Sequence, residues 1–315
     1  MVAPSCASRV VATLALVLLA SACAGEPIGV ESGLHKIVFA SDRGLPPKAE
    51  EESYDTRRLD LYVMDASGRN VKRLTHNFAT DVFPCVSRDG KQIAFTRDIG
   101  GFAQVFVMDT HGGHVRMLTH GRANSGLPSW SPDGRRIAFA TDRNAPEEGD
   151  EIYVMNADGT GQRPVTRNLH STDDAWPSWA PDGRRIVFAR ETPGAAAIYV
   201  VNADSTGLRR LTRDKQALDT QPAWSPDGKQ IVYESDIFML PGQIFVMRAD
   251  GTQRRQLTDP AVGASSRPSW SSDGRQIVFM ASRARHTAVW TMRPDGTRQK
   301  QLTRGRGFDG FPAAG

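Results

Sequence analysis

The sequence predicts an all-β fold, a six-bladed β-propeller of four-stranded antiparallel blades, closed by pairing of its N- and C-terminal segments. Three observations carry this reading. The stretch Pro128-Ser-Trp-Ser-Pro-Asp-Gly-Arg-Arg-Ile-Ala-Phe139 recurs in close copies beginning at Pro84, Pro177, Pro222 and Pro268. Six units end alike, at Leu74, Leu118, Val165, Leu211, Leu257 and Leu302, each followed by Thr, with spacings of 44, 47, 46, 46 and 45 residues. That is close to the length of a four-stranded propeller blade. Finally, one repeat is divided between the chain ends. Lys36 to Arg43 matches the second half of the unit, whereas Asp309-Gly-Phe-Pro312 copies its start and stops before the turn.

Each element of the unit has a local reason. In Ser-Pro-Asp-Gly, Pro fixes φ near −65°, Asp bonds the backbone and Gly accepts a positive φ, so the chain folds back on itself. The run that follows (Ile93-Ala-Phe95, Ile137-Ala-Phe139, Ile186-Val-Phe188, Ile231-Val-Tyr233, Ile277-Val-Phe279) is continuously apolar, as in a strand covered on both faces. A third apolar strand comes next, as in Ile152-Tyr-Val-Met-Asn156, and then a tight turn of the kind Ala157-Asp-Gly-Thr160, where Asp-Gly signals a hairpin. The fourth strand is polar and studded with Arg, Lys and Gln, so polarity rises from a buried middle to a wet rim. The strand missing from the first unit is supplied by the last residues. A second source is Pro27 to Val30, which would leave the C-terminus loose.

The domain reading is a signal peptide over 1–22, a tether over 23–34 and one propeller over 35–315. Arg9 precedes the apolar run Val10 to Ala20, and small residues follow it, which is the pattern of a secretory leader. Cys23 stands at the junction, where cleavage before it would make it a lipidated first residue. Ala20-Ser-Ala22 equally fits an ordinary cleavage site that releases a soluble protein. The destination is therefore the periplasm or cell surface, with a membrane reached only through a lipid on Cys23. A net charge of +4 is too weak a field to argue for nucleic acid. Three cysteines give no disulfide framework, and Cys85, where sister repeats carry Ser or Ala, reads as a small buried residue.

Candidate functional residues lie where the first strands open. Three places before the repeat Pro stand Asp81, Asp174, Asp219 and Asp309, with Ser125 and Ser265 in the other units. One place before it stand Phe83, Leu127, Trp176, Gln221, Arg267 and Phe311. Read as the mouth of an axial channel, Asp81, Phe83, Asp174, Trp176, Asp219, Arg267, Asp309 and Phe311 form a binding site of acidic groups and aromatic anchors for a peptide or protein loop. In the competing reading each carboxylate serves the fold, capping a turn or pairing with an Arg such as Arg43, Arg97 or Arg143, and Phe83, Trp176 and Phe311 pack under a loop instead of standing open. The variable loops share one face, the longest running from Gly44 to Arg58.

The sequence holds no nucleophile elbow, no His-Glu-x-x-His, no P-loop and no dinucleotide fingerprint, so no catalytic residues, metal or cofactor are assigned. His111-Gly-Gly-His114 occupies a tight-turn position and reads as a solvated tip. An envelope hydrolase or lyase working at the channel mouth, built from Asp174, His170 and Arg267, is the alternative to a binding module.

Repeats of P-x-W-S-P-D-G-[KR]-x-I-[AV]-[FY], followed by I-[YF]-V-M-[ND]-A-D-G-T and L-T, resemble the WD40-like repeats of the TolB family over residues 36 to 315. The resemblance is to the propeller alone, without the α/β domain that precedes it in TolB. It implies a propeller that binds another protein, since the TolB propeller binds a peptidoglycan-associated lipoprotein in the periplasm. The function expected is an exported, membrane-tethered and monomeric module that binds an envelope protein or peptide.

Overall fold

The computed structural model describes residues 36–44, 58–144, 149–168, 172–214, 217–237, 240–283, 286–304 and 307–315. The leader, the tether with Cys23 and Pro27 to Val30, most of the loop from Gly44 to Arg58, and His170 lie outside them.

Strands β1 (Lys36–Ser41), β2 (Asp60–Asp65) and β3 (Lys72–Arg73) share a sheet with β24 (Asp309–Ala314), in the order β24-β1-β2-β3. Three further four-stranded sheets each run in sequence order. They comprise β4 (Asp81–Val86) to β7 (Arg116–Met117) through β5 (Gln92–Ile99) and β6 (Phe102–Asp109); β8 (Ser125–Trp130) to β11 (Arg163–Pro164) through β9 (Arg136–Thr141) and β10 (Glu151–Asn156); and β20 (Ser265–Trp270) to β23 (Lys300–Gln301) through β21 (Ile277–Arg283) and β22 (His286–Met292). The remaining strands form one eight-stranded sheet. Its first half holds β12 (Asp173–Trp179), β13 (Arg185–Thr192), β14 (Ala195–Asn202) and β15 (Arg209–Arg210). Its second half holds β16 (Ala217–Trp224), β17 (Gln230–Ile237), β18 (Gln243–Arg248) and β19 (Arg255–Gln256).

The fold is an all-β propeller of four-stranded antiparallel sheets. The eight-stranded sheet departs from the expectation of six separate blades. Its halves are internally antiparallel and are joined by a single parallel pair, Ala196 with Leu218, because β14 and β16 each run to eight residues and their ends lie side by side. Among the described residues the one helical segment is a 3-10 turn, Pro260–Val262.

Burial follows the polarity gradient. The aromatic residue of each second strand (Phe39, Phe95, Phe139, Phe188, Tyr233, Phe279) is fully buried, and each such side chain contributes about 1.5–3 kcal/mol on leaving water. The two-residue fourth strands lie at the exposed rim. The first strands line the centre, where β24, β4, β8, β12, β16 and β20 each pack against the next, and β20 packs against β24. The turn chemistry is as the residue types demand. In Ser131-Pro-Asp-Gly134 the serine hydroxyl donates to Asp133 Oδ1 at 2.5 Å, the Gly134 amide donates to the Ser131 carbonyl at 2.9 Å, and Gly134 has φ +67°.

The chain ends meet as expected. Antiparallel pairing of β24 with β1 sets Ile37 opposite Ala314 and Ser41 opposite Asp309, and Ser41 Oγ donates to Asp309 Oδ1 at 2.6 Å.

Candidate functional site at the hub

Every first strand carries the same irregularity. Register slips between Val82 and Cys85, Gly126 and Ser129, Ala175 and Ser178, Thr220 and Ala223, and Ser266 and Ser269, and the β1–β24 pairing slips between Val38 and Ala40. Within each bulge the residue before Pro has left-handed backbone: Phe83, Leu127, Trp176, Gln221, Arg267 and Phe311 have φ between +55° and +64°. Non-glycine residues rarely adopt this conformation, and bulges of this kind re-aim a side chain. Here they bring side chains from separate sheets together. Phe83 meets Trp176 and Phe311 edge-on at 5.9 and 5.2 Å, and the Arg267 guanidinium lies 5.9 Å from the Trp176 ring and 5.0 Å from Phe311.

These contacts correct the expectation of open anchors. Phe83, Trp176, Arg267 and Phe311 are at most 2% exposed and pack on one another as a plug at the hub. The acidic set is also taken up within the fold. Asp81 is held by both Arg97 nitrogens at 2.6 and 2.8 Å, and Asp174 by Arg190 at 2.6 and 2.7 Å. Asp309 accepts from Arg43 Nε at 3.1 Å. Where Ser replaces Asp the arginine persists, Arg143 and Arg283 donating to Ser125 and Ser265 at 3.2 and 3.1 Å. Asp81, Asp174, Asp219 and Asp309 therefore point at arginines of the scaffold, since a buried carboxylate needs a paired charge.

One part of the hub is less satisfied. The Arg267 backbone N–H donates to Gln221 Oε1 at 3.0 Å, but Arg267 Nε and Nη1 are buried without a hydrogen-bond partner among the described residues, as is Glu234 Oε2. Burial, with Asp236 adding to it, pushes the Glu234 carboxyl up to about 8, against the opposing pull of Arg267. Burial alone pushes Asp236 in the same direction. Burial also works against the Arg267 charge and Glu234 supports it; we hold Arg267 to be charged, because a guanidinium keeps its proton in proteins. The cluster presents spare donors from Arg267 and a spare oxygen from Glu234, flanked by Trp176 and Phe311.

Sequence reasoning singled out Arg267 but missed Glu234. Its signal was present, since sister strands carry Ala40, Thr96, Ala140, Ala189 and Met280 at that place. Among the described residues no three His, Cys, Asp or Glu are grouped to hold a metal. His111 and His114 sit at an exposed turn, where His114 Nδ1 lies 2.8 Å from Asp109 Oδ2. Cys85 is fully buried, in keeping with the reading of a small buried residue.

A family model described as the TolB beta propeller domain matches residues 128–313. The chain belongs to the TolB beta propeller domain family. A second model, the Tricorn protease N-terminal beta propeller domain, matches residues 56–168 of this TolB-type propeller. No curated protein matches the chain. Among solved structures it is similar to TolB from Acinetobacter baumannii, with a TM-score of 0.75 and 22% identity over 89% of this chain and 66% of that one. A putative TolB from Agrobacterium tumefaciens gives 0.68 and 22% identity over 89% and 91% of the two chains. A chain of a Nidogen/Laminin complex gives 0.66 at 13% identity over 90% and 98%. The TolB-type propeller thus spans just under two thirds of the Acinetobacter chain, and at these identities the likeness concerns the fold.

Proposed function

We propose that the protein is an exported binding module of the bacterial cell envelope, tethered through Cys23 and engaging a protein or peptide partner. The family match over 128–313 carries this reading, and the binding partner in the Nidogen/Laminin structure is consistent with such a propeller serving as a protein-binding scaffold. Counting the eight-stranded sheet as two blades gives a monomeric wheel of six, and a partner that displaces the plug at its hub would meet Arg267 and Glu234, whose spare polar atoms it would satisfy. The partner contact takes place at the hub opening, where Trp176 and Phe311 pack on Arg267, Phe83 packs on both rings, and Asp81, Asp174, Asp219 and Asp309 hold the surrounding strands through Arg97, Arg190, Arg254 and Arg43. No chemistry is assigned to the site.

The test is cross-linked capture from a detergent-solubilised envelope fraction with the wild-type chain and Arg267→Met, whose folding is checked by thermal melting. A partner retained by the wild type and lost from the folded variant is expected. Identical capture by both, or turnover of an envelope polysaccharide by the wild type, overturns the reading. Mass spectrometry of the mature N-terminal peptide tests the tether: an acylated Cys23 is expected, and a free, unmodified N-terminus at this position removes the tether from the proposal.

A further inference from the structure

Five units place an arginine over aromatic rings by the same route. Arg43, Arg97, Arg143, Arg190 and Arg283 leave the end of a second strand and lie 4.9–5.7 Å from the rings of that strand or its neighbour. The unit of β16 to β19 is built otherwise. Its second strand ends Glu234-Ser-Asp-Ile237 without an arginine. The guanidinium over Tyr233 and Phe245, at 5.7 and 4.5 Å, is that of Arg254, which enters from the turn before β19.

The substitute does not complete the site. Arg254 donates to Ser235 Oγ at 2.7 Å, to Asp219 Oδ1 at 3.3 Å and to Asp214 Oδ2 at 3.5 Å, whereas Asp219 Oδ2 is buried without a partner among the described residues. Asp81 and Asp174 have both oxygens bonded. Tyr233 stands where the other units carry Phe, and its hydroxyl is fully buried beside the Arg254 guanidinium, with no well-aligned hydrogen bond among the described residues. Beside these groups, between β15 and the turn at Asp250, lies a cleft of about 440 Å³. Tyr233 and Arg254 line it together with Arg209, Arg210 and Arg213, against two acids, Asp214 and Asp250.

We propose that this cleft is a second binding site, and that it takes the carboxylate side chains of an acidic peptide. Its volume falls in the range of small-ligand sites, about 300–1,000 Å³. Two of its arginines are held in place: Arg209 Nη1 donates to the Asp250 carbonyl at 3.1 Å and Arg210 Nε to the Thr212 carbonyl at 2.6 Å. Their remaining N–H groups are thereby oriented, and forked guanidinium donors match a carboxylate. Arg213 is exposed and has no partner among the described residues. The Tyr233 hydroxyl supplies a neutral donor, and its burial keeps it protonated. Leu211 and Met247 give the cleft apolar wall for the methylenes of a glutamate.

The inference rests on the reading of the chain as a binding module and adds a ligand class at a place away from the hub. Its test uses the purified mature chain and a fluorescent hexaglutamate peptide followed by anisotropy at low salt, with inorganic phosphate and an oligogalacturonide as competitors. Saturable binding is expected, weakened about tenfold by Arg213→Glu and about fivefold by Tyr233→Phe. Arg116→Glu, an exposed change in another unit, should leave it unaltered. Tyr233→Phe restores the residue of the other five units and so keeps the fold. Absence of saturable binding, equal affinity in Arg213→Glu and Tyr233→Phe, equal loss in Arg116→Glu, or displacement by phosphate or the oligogalacturonide as readily as by unlabelled peptide overturns the proposal. Hub capture in Arg213→Glu separates the two sites, since failure of the peptide test leaves that measurement standing.

Discussion

Replacing Glu234 by Gln removes one ionisable group from the hub at nearly constant shape. Burial first, and Asp236 second, raise its pKa from 4.5 to about 8, with Arg267 and a hydrogen bond from Gln221 opposing and Glu191 adding to the rise. Between those values the folded chain keeps a proton that the unfolded chain has released. Stability from this group is therefore fully present below about pH 4.5 and falls as pH rises through about 8. At about 1.4 kcal/mol per pKa unit the loss is at most about 5 kcal/mol. A loss of about 2–3 kcal/mol is expected, because the buried pair relaxes and admits water when the carboxyl ionises. Urea unfolding followed by tryptophan fluorescence at intervals between about pH 5 and pH 9 reads this as a shift in midpoint. Asp236 is raised by burial as well and contributes to both curves, so the difference between wild type and Glu234→Gln isolates the one carboxyl. Parallel pH profiles for the two proteins would refute the reasoning, and a wild type that gains stability across the interval would reverse its sign.

Two further changes test the scaffold. Asp174→Ala leaves the Arg190 guanidinium partly buried without its bidentate partner and should cost about 3–5 kcal/mol by chemical denaturation, whereas Asp174→Leu combined with Arg190→Met should lie close to wild type. Gly112→Ala places a Cβ 2.5 Å from the Leu74 carbonyl oxygen at φ +89°, so a lowered melting temperature is expected, with a loss of about 1–3 kcal/mol.

The strands and turns were legible because their signals are local. Pro fixes a turn, Asp-Gly fixes another, and a continuous apolar run needs cover on both sides. Splitting of one repeat between the chain ends likewise located β24 beside β1. The hub was only half legible. The residue before each Pro was picked out, but whether it faces outward depends on a bulge, which resets the two-residue alternation of a strand. Phe83 and Trp176 consequently turn inward and lock together instead of standing open. For the carboxylates the sequence allows two readings, and the structure shows pairing with arginine at Asp81, Asp174 and Asp309. Glu234 and Tyr233 escaped notice for a different reason. They are recognisable as departures from the repeat average, at positions where attention to shared residues hides the exception.

The join between β1 and β24 also bears on how the molecule is made. Ser41 and Asp309 touch across 267 intervening positions, so the inward edge of β1 has no native neighbour until β24 has been made and has joined it. Closing so long a loop is slow relative to forming local hairpins, and until it happens that edge is open to strangers. Accessory factors that shelter an unfinished fold would matter most for this protein in the interval before Asp309–Ala314 docks on β1.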